Sequence, residues 1–115
     1  MVALTSVGSI AVPPRGTTSF DHGDVHLASG RIFVAHTAAG SVEVIDGVRQ
    51  LHMGTVPGCP EASGVLCAQD ENLVFAAARG AGKVLVIEAD AQVVRKELAT
   101  GPRPNGLAWD DRRKL

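Results

Sequence analysis

The sequence predicts an all-β repeat fold, and three observations carry that reading. Segments recur at a spacing of about forty residues. Arg31-Ile32-Phe33-Val34-Ala35 returns as Asn72-Leu73-Val74-Phe75-Ala76, Ser41-Val42-Glu43-Val44-Ile45-Asp46 as Lys83-Val84-Leu85-Val86-Ile87-Glu88, and the loop Gly58 to Val65 as Thr100 to Leu107. A period in this range marks solenoids, propellers or arrays, and short strand-type segments favour a propeller. In the second, more complete copy the β-branched run Val84 to Ile87 is apolar on both faces, while the last run, Val93 to Leu98, carries polar residues; the first copy follows the same order. Stacked sheets produce that gradient, because their middle strands lose water on both sides and their outermost strand does not. Each copy also contains a glycine-bearing reversal, Thr37-Ala38-Ala39-Gly40 or Arg79-Gly80-Ala81-Gly82, suited to a tight hairpin. A β-propeller fragment of two four-stranded antiparallel units, flanked by strands of neighbouring units, accounts for all three.

The elements follow in order. Residues 1–13 read as the outer strand of a preceding unit, with Leu4 to Val12 as the strand and Pro13 to Thr18 as the loop after it. Residues 17–57 form the first unit. Its inner strand, Phe20 to Leu27, is unusually polar through Asp21, His22, Asp24 and His26; Ile32 to His36, Val42 to Asp46 and Gln50 to Val56 complete it. Residues 58–100 form the second unit, with strands Gly64 to Ala68, Leu73 to Ala78, Val84 to Ile87 and Val93 to Leu98. The charges Arg95, Lys96 and Glu97 predict a half-exposed last strand. Residues 101–115 begin another unit, with Asn105 to Trp109 as its first strand and Asp110 to Lys114 as a turn. A βαβ repeat would need a helix over Asp90 to Thr100. The matching segment Val48 to Val56 contains Gly54 and β-branched residues and disfavours it.

At 115 residues the chain suits one small domain. A hydrophobic fraction of 45% supports a core, and with 3% aromatic residues that core is built from Val, Leu, Ile and Ala. A net charge of −1 gives no pull on polyanions, and aromatic platforms for base stacking are scarce, which argues against a nucleic-acid partner. No segment approaches the roughly 18 apolar residues that cross a bilayer. The first segment lacks the positive start of a signal peptide, so the expectation is a cytoplasmic protein, or a periplasmic or secreted one if sequence precedes Met1. Cys59 and Cys67 match no zinc or redox spacing. Cys67 reads as a small buried hydrophobe and Cys59 as a loop thiol.

Laid out this way, the chain resembles the YVTN (YncE-like) β-propeller family. The resemblance rests on Arg31-Ile32-Phe33-Val34-Ala35-His36, on Gly40 to Asp46 with its copy Gly82 to Glu88, and on Gly101-Pro102-Arg103-Pro104-Asn105-Gly106-Leu107-Ala108-Trp109. It spans Leu4 to Leu115 and implies a closed ring of more blades than this chain carries, because one unit cannot bury its faces alone. The expected partners are the remaining blades of a longer chain or further copies of this one. The family analogy also implies a ligand face, formed by the loops around the channel. Its candidate binding residues are Asp21, His22, His36, Arg79, Arg103 and Asn105, with Glu61 beside them.

Carboxylate and imidazole in Asp21-His22 and His36 are ligand types, and His22 and His26 share one face of a strand. Arg79 and Arg103 suit an anion. His52, on an outer strand, reads as a surface residue, and Arg112-Arg113-Lys114 as a solvated turn. The segment Pro104 to Trp109 also looks like part of the gluconolactonase-type propellers, where the Asn would bind a divalent metal; here that implies Asn105 in a metal-dependent lactonase. No GxSxG elbow is present, and Gly80-Ala81-Gly82 precedes a strand, so it is no phosphate cradle. The leading expectation is a non-catalytic binding module, with no cofactor, for a small ligand or a protein. The alternatives are the lactonase and a truncated remnant without independent activity.

Overall fold

Residues with branched or apolar side chains favour extended backbone when they pack on a pleated surface, and the runs of such residues here become strands. The computed structural model describes residues 3–13 and 18–115. It contains β1 (Phe20–His26), β2 (Arg31–His36), β3 (Ser41–Asp46), β4 (Leu51–Val56), β5 (Ala62–Ala68), β6 (Leu73–Ala78), β7 (Lys83–Glu88) and β8 (Val93–Ala99). They form two four-stranded sheets, β1-β2-β3-β4 and β5-β6-β7-β8, antiparallel throughout. All eight strands of the two predicted units are present. The segment from Asp90 to Thr100 holds β8, not a helix.

The repeat is written into the backbone as well as the side chains. Each β2–β3 and β6–β7 reversal is a single 3-10 turn that ends on a left-handed glycine, Gly40 (φ 64°) or Gly82 (φ 60°). Left-handed residues without that excuse also recur 42 positions apart: Gln50 with Gln92, and Glu61 with Arg103. The irregularities match too. The β1 ladder is bulged between Phe20 and Gly23 and the β5 ladder between Ala62 and Val65; β3 and β7 carry twin shifts at Val44/Ile45 and Val86/Ile87.

Pleat alternation assigns the faces. Phe33, Ala35, Val42, Val44 and Val56 of the first sheet share one core with Val74, Ala76, Ala78, Leu85 and Ile87 of the second, all at or near zero exposure. Each large apolar side chain buried this way stabilises by roughly 1.5–3 kcal/mol, so this seam dominates the fold. Polar bonds flank it. The Asp24 carboxylate accepts from the Cys67 amide at 2.8 Å. The Arg31 guanidinium donates to the carbonyls of Ala89 and Asp90 at 2.6 and 3.0 Å. The strands β3 and β7 are buried on both faces for most of their length, while β8 is exposed throughout.

Two expected strands are absent. Leu4 to Val12 belongs to no sheet; Leu4 and Val7 are 100% and 98% exposed. Asn105 to Trp109 lies against the second sheet but is not a strand. The reason is common to both. A strand exists only when a neighbour completes its ladder, and among the described residues neither segment has one. Of the loop expected over Pro13 to Thr18, residues 14–17 lie outside the described chain.

Candidate functional site

The bulges in the edge strands β1 and β5 lie beside a cleft between the two sheets. A bulge inserts one residue and re-aims its side chain. In β1 it presents Asp21 and His22, whose Oδ1 and Nδ1 are 2.9 Å apart; the imidazole remains 61% exposed. The equivalent position in β5, 42 residues on, is Gly64. A Cβ there would collide with the carbonyl oxygen of Asn105, so glycine is what lets the 104–107 segment lie directly on β5. Ser63 fastens that segment: its hydroxyl lies 3.2 Å from the Pro104 carbonyl and 3.3 Å from that of Ala77. The outcome is a cleft of about 180 Å³ lined by His22, Gly23, Gly64, Val65, Asn105 and Leu107. It offers an imidazole and an amide beside a short apolar wall.

The other expected site residues do not join this cleft. His26, on the same strand as His22, is buried; its Nδ1 meets the Ser29 hydroxyl at 2.8 Å and its Nε2 the Glu71 carbonyl at 3.1 Å. Arg79 and Glu61 pair loosely, Nε to Oε1 at 3.9 Å, so the guanidinium already faces a carboxylate. Arg103 is exposed on a left-handed residue (φ 57°). His36 is wholly buried beneath the ring of Phe20, stacked at 4.4 Å between centroids.

His36 belongs to a polar network within the first sheet that the sequence reading missed. Its centre is Glu43, fully buried on the middle strand β3. The carboxylate accepts from the hydroxyls of Ser41 and Thr55 at 2.6 Å each, and stands 2.9 Å from His52 Nε2 and 3.2 Å from His36 Nδ1. Desolvation pushes the carboxyl pKa up, but the four hydrogen bonds together outweigh it and hold the group below its ordinary value. His52 is therefore a half-buried partner, not the free surface residue expected: Glu43 draws it down onto the sheet. The signal lay in the repeat. Glu43, His36 and Ser41 stand where the second unit has Leu85, Ala78 and Lys83, and sheet register brings the three together. With four donors filling its lone pairs, Glu43 has none left for a metal.

Both thiols are free and buried, so the Cys59 expectation of a loop thiol holds only for its place in the chain. Burial pushes Cys59 up to about 11 and, with the charge of Asp24 adding to it, Cys67 to about 12. Among the described residues no three His, Cys, Asp or Glu side chains gather as a metal site, and no helix is long and apolar enough to cross a membrane. The chain matches no protein-family model and shows no significant similarity to any curated protein.

Proposed function

We propose that the chain is a non-catalytic binding module of the YVTN-like propeller type, with its ligand seated in the inner-strand cleft. The observation that carries this reading is that His22 and Asn105, 83 residues apart, line one cleft because Gly64 lets the Asn105 segment lie directly against β5. Twin bulges at the cleft, left-handed residues repeating every 42 positions and a shared core between two antiparallel sheets support the propeller part. The cleft combines an imidazole and a carboxamide with an apolar wall. That suits a small ligand with both hydrogen-bonding and hydrocarbon surface.

Amide chemical-shift mapping tests this. A panel of neutral polyols, carboxylates and short peptides is titrated into the protein. The expected result is saturable shifts centred on His22, Gly64 and Asn105, lost in His22→Ala and Asn105→Ala. Shifts centred elsewhere, or unchanged by both substitutions, would remove the cleft as the site.

A further inference from the structure

We propose that the outer face of the second sheet is a docking groove for the Leu4–Val12 segment of a second copy of this chain, added as a strand beside Asn105–Trp109. The groove measures about 490 Å³, and Leu66, Phe75, Val84, Leu98, Leu107 and Trp109 line it. Its wall repeats one already in use. Strand register aligns β2 with β6 at a shift of 42, one more than the sequence match of Ile32 with Leu73 implies, so Phe75, Ala77, Val84, Val86 and Leu98 occupy the positions of Phe33, Ala35, Val42, Val44 and Val56 in the first sheet. The first set is buried by the second sheet, with β5 as the nearest strand and β6 beside it. On the second wall, residues 105–109 stand where β5 would be, Trp109 resting on Phe75 at 5.2 Å between ring centroids. The place corresponding to β6 holds no strand, and Leu98 is left 40% exposed.

The same chain carries a segment that needs such a place. Residues 3–12 are rich in apolar residues, hold no charge and lie in no sheet. As a strand, they would put Leu4, Ile10 and Val12 on one face with the small Ser6 and Gly8 between, and Val7 on the other. Small and aliphatic side chains are what the equivalent first-sheet wall receives from Val74, Ala76 and Ala78. Pairing residues 4–12 with residues 105–109 would give each the ladder neighbour that neither has alone, supplying main-chain hydrogen bonds while the alternate side chains fill the wall. A groove and a donor segment at different places on one chain make the contact heterologous, so copies join in succession.

Mass measurement by light scattering and the fluorescence of Trp109, the chain's one tryptophan, test this. Wild-type protein should form dimers or larger species whose mass rises with concentration. The full-length double variant Leu4→Lys/Ile10→Lys, which alters only exposed side chains, should be monomeric. A synthetic peptide of residues 3–12 added to that variant should shift Trp109 emission to the blue saturably, and should fail to do so when it carries the same two lysines. Val7→Lys should leave assembly intact. The proposal is overturned by a monomeric wild type, by a double variant that assembles like the wild type, by the absence of a peptide-induced shift, or by Val7→Lys dissolving the assembly as fully as the double variant.

Discussion

Replacing Glu43 by leucine gives the first unit the residue that the second unit uses at Leu85, and the structure says the exchange is costly. Two donors that Glu43 satisfies are buried with nowhere else to turn: the His36 ring nitrogen and the Ser41 hydroxyl. An orphaned buried donor costs roughly 1–3 kcal/mol. Thr55 and His52 are closer to solvent and recover water. The leucine returns roughly 1.5–3 kcal/mol of apolar burial at most, reduced by its poor fit among polar neighbours. The expected net loss for Glu43→Leu is therefore about 1–4 kcal/mol, read as a lower urea midpoint with an unchanged slope. Removing the second partner should restore part of it, so Glu43→Leu/His36→Ala is expected to show a coupling of about 1 kcal/mol or more in a double-mutant cycle. Acid adds a second reading. The folded Glu43 carboxyl titrates below its ordinary 4.5, so its contribution is whole above that pH and fades as pH falls through the lower folded value. The gap between wild type and Glu43→Leu should narrow in that acid range and stay level above it. A substitution that costs under about 0.5 kcal/mol at neutral pH, or a gap that widens in acid, would refute the network's role.

Two further outcomes follow from the same packing. Gly64→Ala drives a Cβ into the Asn105 carbonyl, so it should push the 104–109 segment off the sheet at a cost of about 1–3 kcal/mol and move Trp109 emission to the red. Cys59 and Cys67, both buried and with pKa values raised to about 11 and 12, should resist a thiol reagent at pH 8 in the native protein and both react once it is unfolded.

The strands were legible because their cause is local. Val84 to Ile87 carries apolar side chains on both faces, and Val42 to Ile45 follows it except at Glu43; a middle strand in stacked sheets uses such a run. Gly40 and Gly82 marked the reversals for an equally local reason, their positive φ. Leu4 to Val12 and Asn105 to Trp109 have the same strand-type composition, yet neither is a strand, because a ladder depends on a neighbour that composition does not encode. The site was legible in part. Asp21, His22 and Asn105 stood out as polar residues at loop and inner-strand positions. That His22 and Asn105 line one cleft depends on the bulges and on Gly64, features that appear only once strands are paired. The roles of His36 and His52 are not legible one residue at a time; compared with Ala78 and Val94 of the next repeat, and with Glu43 set against Leu85, they form one coordinated replacement.

The side chain of Gln69 acts as a surrogate peptide group. Its Oε1 accepts from the Leu27 amide at 2.8 Å and its Nε2 donates to the Val25 carbonyl at 2.6 Å, so it serves the free margin of β1 in the way a ninth strand would. This staple at one end of the seam and the Arg31 guanidinium crossing it tie the two sheets to each other in addition to their shared core. The two sheets should therefore melt together, in a single calorimetric transition.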